Sequence, residues 1–513
     1  MNGSRLRKGN IDILLSVLSG LMLVAAFPRP GWSFLPWACL LPLLFAIEGK
    51  RPGRAFGLGY LMGAVYNFGS LYWLCHVTVA GWIVLSAYIS IYPAIFAVIF
   101  NRLKRCRPVP LIVSAPCAWV GLELLRSRLI TGFPWGVAGT TQYTATHLIQ
   151  ICEFTGVYGI SFLIVMVNVA LYGFLCGIRA RRGFLVSIAP LVAATAVVLA
   201  VLLYGKRVLS SPPGPEPSLK ITVVQGNIEQ HFKWDPAEKP VIMGQYRRLS
   251  MAALRDGPDI LIWPETALPG YLQYDPELQG LVTDVIDEGR CHFIVGSTHA
   301  ESVEGQDIYY NSAFFISPEK NVTDRYDKIH LVIFGEYVPF RKLLFFIASM
   351  VPFEQDFSFG QDYKVVTVKG APVGVLICFE DAFPDVVRRF VKNGARLLIN
   401  ITNDAWFWRS CEPYQHLAMG TFRTVENRVP MVRCANTGVS CFIDRYGREY
   451  ARLKGPGGYD IFVEGHLTAS VRPGGGGTFY AEHGDVFSMA CLILAFVSLI
   501  CACFRKRPGI GGA

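Results

Sequence analysis

Charge is what this 513-residue chain has least of: only 17% of its residues are Asp, Glu, Lys or Arg, against 52% hydrophobic, with a mean hydropathy of +0.37. That balance excludes an ordinary soluble protein of this size and requires that some of the chain lie in a bilayer. No basic helix and no interleaving of aromatic with basic residues occurs, so the formal net charge of +10 does not point to nucleic acid. The nine histidines show no ligand spacing such as H-x-x-x-H, from which no metal cofactor is expected. No C-x-x-C pair is present, and no small-residue cleavage site follows the first apolar run, where Phe27-Pro28-Arg29-Pro30 stands instead; that run is expected to remain as an anchor. There is no internal repeat, and no low-complexity segment beyond Gly474 to Gly477.

The apolar residues gather in Ile11–Phe27, Ser33–Ile47, Phe56–Cys75, Val79–Phe100, Val109–Leu125, Val157–Ile178, Phe184–Tyr204 and Val486–Phe504. Most approach the roughly 20 residues that a helix needs to cross the hydrocarbon core. Ser33–Ile47, short and interrupted by Pro36 and Pro42, is the weakest. With a cytoplasmic N-terminus, eight spans place sixteen Lys and Arg in the short inner segments, from Arg5 to Arg507, and only Arg29, Arg126 and Arg128 in the short outer ones. That asymmetry is the positive-inside bias. It predicts eight spans, both termini cytoplasmic, and the segment from about 205 to 485 on the outer face. Glu123 near the end of its span is expected to pair with Arg126 at i,i+3, or to serve a lipid head group. Expected boundaries are a seven-helix membrane domain over residues 1–205, a Pro-rich linker 206–218, an outer domain 219–485, and an eighth helix with its tail over 486–513.

Beyond Ser211-Pro-Pro-Gly-Pro-Glu-Pro217 the pattern becomes that of an α/β domain. Strands are expected at Leu219–Gln225, Asp259–Trp263, His292–Gly296, Ser312–Ile316, Arg396–Ile401, Met431–Ala435 and Val439–Asp444, and helices at Pro240–Arg255, Pro276–Glu288, Pro384–Lys392 and Tyr414–Glu426. The apolar run Val373–Ile377 stops at Cys378-Phe379-Glu380-Asp381, a strand, a sharp turn and a helix start, where a thiol can meet backbone N–H groups. A cysteine ending a core strand is by itself more often packing than chemistry. Two further motifs add weight: Trp263-Pro264-Glu265, where a buried strand ends in a carboxylate, and Tyr326-Asp327-Lys328 with Gly335-Glu336-Tyr337, a loop presenting an amine and then a second carboxylate. Each alone is weak, since a Glu at a strand end or a Lys in a loop is usually a solvated residue.

In this order, Glu265, Lys328 and Cys378 resemble the Glu-Lys-Cys triad of the nitrilase (carbon-nitrogen hydrolase) superfamily. Val224-Gln-Gly-Asn-Ile228, Lys233-Trp234, Asn403-Asp-Ala-Trp406-Phe407 and the membrane spans resemble the apolipoprotein N-acyltransferase family, over nearly the whole chain. The resemblance implies a polytopic α-helical membrane domain joined to an α/β domain of nitrilase-like α-β-β-α sandwich type. It implies a bacterial inner-membrane enzyme that moves an acyl chain from a phospholipid donor to the N-terminal amine of diacylglyceryl-cysteine lipoprotein acceptors, without a cofactor. Phe379 stands where better-known members carry Tyr.

The residue types supply a chemistry for that reading. Glu265 would take the proton of Cys378, Lys328 and the N–H of Phe379 would face the oxyanion, and an acyl thioester would form and be attacked by the amine. Glu336 and Glu380 would orient Lys328 or the amine, or form structural salt bridges. Arg341, Lys342, Phe345 and Phe346 open an apolar segment too short to span, read as an arm dipping into the outer leaflet or as a core helix. Trp234 and Trp406 are further candidate lipid contacts. A membrane-anchored amidase or nitrilase, and a transporter or receptor with an external binding domain, are the competing classes. The first leaves most of the spans without a purpose and the second leaves the triad unexplained.

Overall fold

The structure is a computed structural model that describes residues 2–106, 109–210, 218–333, 335–337 and 356–504. Two compact units emerge: Met1–Pro212 with His483–Ala513, and Pro213–Glu482.

The first unit is helical. Long uncharged runs have no way to satisfy their backbone polar groups in lipid except as helices, and the expected runs fold as Asn2–Ala26, Pro52–Ser70, Leu111–Arg126, Tyr158–Arg179, Phe184–Leu209 and Val486–Phe504. The run Val79–Phe100 is divided at Ser90 into helices Val79–Ile89 and Ile91–Cys106, with Pro93 in the first turn of the second. Ser33–Ile47 does not form one helix. Its prolines reduce it to a 3-10 turn, Leu35–Trp37, and a six-residue helix, Leu41–Ala46. Four stretches of the described residues are long and apolar enough to cross a membrane: Gly9–Ala26, Val79–Arg105, Tyr158–Arg179 and Phe184–Leu209. The last helix runs to Leu209, into the expected linker, whose residues 211–217 lie outside the described ones. Glu123 is buried, and its carboxylate accepts from the Trp119 indole and the Ala138 N–H, both at 2.8 Å, in place of the expected bond from Arg126.

The second unit is built on two six-stranded sheets. In chain order the strands are β1 Leu219–Gln225, β2 Ile260–Ile262, β3 His292–Val303, β4 Gln306–Ile316, β5 Val322–Asp327, β6 Val365–Val368, β7 Ala371–Ile377, β8 Leu397–Thr402, β9 Met431–Ala435, β10 Cys441–Ile443, β11 Glu449–Arg452 and β12 Gly465–Val471. One sheet has the order β12-β1-β2-β3-β4-β5 and the other β11-β10-β9-β8-β7-β6. The central pairs β1/β2, β2/β3, β7/β8 and β8/β9 are parallel, and their crossovers are helices.

Ile221, Val223, Ile260, Ile262 and Phe315 of the first sheet share one core with Val373, Val375, Ile399, Ile401 and Val432 of the second. On the other face of the first sheet, Leu261, Trp263, Phe293 and Val295 pack against helices Lys239–Leu254 and Pro276–Gly289. Beside the second sheet lie helices Pro384–Lys392 and Glu412–Asn427. Gly374 of β7 takes the first of these at close range, a Cβ there meeting Phe390 at 3.0 Å. The layers are thus helix, sheet, sheet, helix.

Candidate active site

The site lies where the strand ends of both sheets meet. β7 delivers Cys378 into a 3-10 turn, Cys378–Ala382, with the cysteine itself at φ +55°, a left-handed conformation that non-glycine residues rarely adopt. The Asn400 side chain of β8 donates to the Cys378 carbonyl at 2.9 Å and fixes that turn. β2 delivers Trp263-Pro264-Glu265; the Trp263 indole is anchored to the Ser250 hydroxyl at 2.9 Å. Gly296 of β3 is needed beside it, because a Cβ there would lie 2.3 Å from the Pro264 carbonyl oxygen and 2.7 Å from the Glu265 Cα. Lys328 follows β5 directly, so the expected loop holds a strand up to Asp327.

Glu265, Lys328 and Glu336 come together through Asn311 of β4. The Asn311 amide donates to Glu265 at 2.7 Å and to Glu336 at 2.9 Å. The second Glu265 oxygen accepts from the Asn403 backbone N–H at 2.8 Å. The fully buried Lys328 ammonium lies 2.9 Å from Glu336 and 3.7 Å from Glu265. Glu336 also accepts from the Val332 N–H at 2.8 Å, so this carboxylate orients the lysine and closes its own loop.

Burial disfavours the Lys328 charge, but Glu336, then Cys378 and Glu265, outweigh it and raise the pKa, keeping the amine cationic. Burial and then Glu265 push the Cys378 thiol well above its ordinary value, against the opposing pull of Lys328. The resting thiol is protonated and requires a base.

Glu380 holds backbone and a phenol hydroxyl and not the Lys328 ammonium. Its carboxylate accepts from the Tyr326 hydroxyl and from the backbone N–H groups of Ile329, His330 and Ile377, at 2.8–3.0 Å. It ties the cysteine strand to the lysine segment and makes no ion pair with Lys328. Phe379 is stacked on Phe407 at 5.6 Å and meets the His416 ring edge-on at 5.1 Å. Trp234 is exposed and Trp406 half-buried. Arg341, Lys342, Phe345 and Phe346 lie outside the described residues.

Asn311 carries little sequence signal, and Lys233, visible as part of the Lys233-Trp234 motif, gives no local sign of what it touches. Asn311 is one amide inside the strand Tyr309-Tyr-Asn-Ser-Ala-Phe-Phe315, its polarity in an apolar run being the only hint. Lys233, 2% exposed, hydrogen-bonds the Glu265 carbonyl and the Thr266 hydroxyl. A second buried cluster joins the turn after Cys378 to the turn after β8. His416 lies 2.7 Å from Asp381 and 3.4 Å from Asp404, and Arg433 lies 2.6 Å from Asp381.

Asp404, Glu412 and His416 also form a grouping that could hold a metal ion, their ligand atoms lying within 4.8 Å of one another. Histidine spacing does not reveal it, because one histidine is met by carboxylates from two elements. Burial, then Asp404, raises the Glu412 pKa and favours its neutral form, while Asp381 faces His416 and Arg433 and Asp404 faces His416.

Residues 19–170 match the family described as the apolipoprotein N-acyltransferase N-terminal domain, and residues 220–463 match carbon-nitrogen hydrolase. Among curated relatives, an apolipoprotein N-acyltransferase of Geobacter metallireducens is 43% identical over 97% of this chain and 96% of its own. That of Chlorobaculum tepidum is 29% identical over 99% and 100%. Among solved structures, a Saccharomyces cerevisiae member of branch 10 of the nitrilase superfamily is 17% identical, covering 54% of this chain and 97% of its own at a TM-score of 0.38.

Proposed function

Because the chain belongs to the apolipoprotein N-acyltransferase family, we propose that it transfers an acyl chain from a membrane phospholipid to the N-terminal amine of diacylglyceryl-cysteine apolipoproteins by way of a thioester on Cys378. The observation that carries this is the convergence on Cys378 of a carboxylate held by neutral amides, Glu265, and a cation held by a second carboxylate, Lys328.

In the first half-reaction Glu265 removes the thiol proton as the sulfur attacks the ester carbonyl. Lys328 and the Phe379 N–H face the developing oxyanion. The carbon–oxygen bond breaks, Glu265 returns the proton to the lyso-lipid alkoxide, and the acyl group remains on sulfur. In the second half the acceptor amine gives a proton to Glu265 and attacks the thioester. The carbon–sulfur bond breaks, Glu265 returns the proton to the Cys378 sulfur, and the amide formed is more stable than the thioester, so no energy source is needed. Burial of Lys328, Glu265 and Cys378 keeps bulk water from the intermediate, which favours transfer over hydrolysis.

The membrane unit is read as eight spans with both termini cytoplasmic and the catalytic unit on the outer face of the inner membrane, a reading supported by the distribution of Lys and Arg. Trp234, Trp406, Arg341, Lys342, Phe345 and Phe346 are assigned to lipid contact on composition.

Intact mass of the purified chain after incubation with a phospholipid of defined acyl chain, without an amine acceptor, tests the scheme. A gain of one acyl group, released by neutral hydroxylamine and absent from Cys378→Ser, is the expected result. Unchanged mass together with turnover of small amides would replace transfer by hydrolysis.

A further inference from the structure

Among the described residues two lysines are buried beside Glu265, and one of them has an ionic partner within 4 Å. Lys328 is held by Glu336. Lys233 lies in the connection between β1 and the helix Lys239–Leu254, with its side chain turned inward while Phe232 and Trp234 on either side are exposed. Among the described residues no carboxylate lies within 4 Å of its ammonium. Its acceptors are the Glu265 backbone carbonyl at 3.2 Å and the Thr266 hydroxyl at 2.6 Å.

Burying an amine without a counter-charge is costly. Burial is accordingly the leading influence on Lys233, lowering its pKa to about 8, while Glu265 and Cys378 act in the opposite sense. What the cost secures is local. Thr266 stands at φ +44°, a conformation that a β-branched residue adopts only under external constraint. The Lys233 segment is itself immobilised: Asn436 bonds both polar groups of Ile228, at 2.9 and 2.7 Å, and Asn403, whose N–H holds the Glu265 carboxylate, bonds Gln230 at 2.7 Å.

We propose that Lys233 is a positioning residue of the acyl-transfer site. By bridging the Glu265 carbonyl and the Thr266 hydroxyl it holds the peptide that follows the general base, and through it the direction in which the Glu265 carboxylate is presented to Cys378. The inference rests on the reading of Glu265 as the base. Because that base serves both half-reactions, loss of Lys233 slows both.

The test uses the full-length protein in detergent with Lys233→Met. Acylation of Cys378 by a phospholipid and transfer to a diacylglyceryl-cysteine peptide are timed separately by intact mass, and iodoacetamide alkylation of Cys378 is followed by peptide mass. Expected is a slowing of both half-reactions and of alkylation by a common factor on the order of 10- to 100-fold, with an unchanged KM for phospholipid and full acylation of Cys378 at long times. Wild-type rates in the folded variant, or a reduced acylatable fraction reacting at wild-type rates, would overturn the proposal, since a structural role alone predicts the latter. If Lys233→Met does not fold, Thr266→Val removes one acceptor at nearly constant shape. It is expected to slow both steps equally and by less, and unchanged rates would refute the assignment. Failure of the wild-type chain to accept any acyl group refutes the transfer reading instead, and the alkylation comparison then decides the role of Lys233 alone.

Discussion

Two buried ionic clusters share the neighbourhood of Cys378, and they are satisfied in different ways. In the Asp381–His416–Asp404–Arg433 cluster cations and carboxylates meet one another directly, at 2.6–3.4 Å. In the Glu265–Asn311–Glu336–Lys328 cluster the cation hydrogen-bonds one carboxylate and stands 3.7 Å from the other. Glu265 is instead held by two neutral amide donors. In the first cluster direct ion pairs fix the geometry, while Asp404 Oδ2 and the Nε and Nη2 of Arg433 are buried without a hydrogen bond among the described residues; a carboxylate held by amides keeps its orientation and can still take a proton. The first arrangement suits a hinge point between two turns, the second suits a base.

That contrast is broken most severely by removing Glu265, the proposed base. Glu265→Gln retains an oxygen acceptor for Asn311 but turns an amide NH2 toward the Asn403 N–H and cannot accept the thiol proton; acyl transfer is expected to fall on the order of 100- to 10,000-fold, with a loss of about 1–3 kcal/mol of stability from the unmet donor, as followed by single-turnover acylation and calorimetry. The other cluster should give the opposite outcome. Arg433→Met leaves Asp381 buried without its guanidinium and is expected to cost about 3–5 kcal/mol of stability, while the fraction that folds acylates at a rate within a few-fold of wild type.

The pH dependence sharpens the comparison with a smaller effect. Burial lowers the His416 pKa, but Asp381 outweighs it and carries the value to about 9, above the ordinary 6.5. A folded-state pKa raised in this way gives stability that is complete below pH 6.5 and is lost as pH rises through 9. Lys233, lowered to about 8 from 10.5, acts in the opposite direction above pH 8. Between pH 6.5 and 8 the unfolding midpoint should therefore fall as pH rises, the histidine acting in the same direction as the Glu412 carboxyl, which is raised well above its usual range, and His416→Gln should make that slope shallower. The smallest effect is expected from Phe379→Tyr. That ring is half-buried, stacked on Phe407, and belongs to neither ionic cluster, so acylation should change by no more than about 1 kcal/mol in barrier.

The legible elements of the fold share a physical property. The interior strands β1, β2, β7, β8 and β9 are buried and mostly apolar, broken by single polar residues such as Lys220, Asn400 and Arg433, because both of their faces are covered, and the helix Pro384–Lys392 begins at a proline and alternates apolar and charged faces. The strands without a sequence signal, β5, β6 and β12, are all sheet edges. Val-Thr-Asp-Arg-Tyr-Asp in β5 carries charge on an edge, as exposed edges do to discourage further pairing, and so reads as a loop. β3 and β4 likewise extend beyond their apolar cores, out to the turn at Glu304-Gly305. Of the candidate site, Glu265, Lys328, Glu336 and Cys378 stand at recognisable motif positions. Glu380 is equally visible, but its use as an anchor for backbone N–H groups is not, since two of its three backbone donors, Ile329 and His330, belong to a segment some fifty residues earlier.

Which elements form, and which reactive groups end them, is written locally in the chain, because hydrophobic period, proline placement and turn residues act over a few neighbouring positions. What each reactive group touches is settled by the three-dimensional packing. Asn311 reaches Glu265 across 46 residues and Asn403 across 138. Such contacts are set by the stacking of the two sheets. Whether Glu265 stands as an amide-held carboxylate or vanishes into an ion pair depends on those long-range neighbours, and no local pattern encodes them.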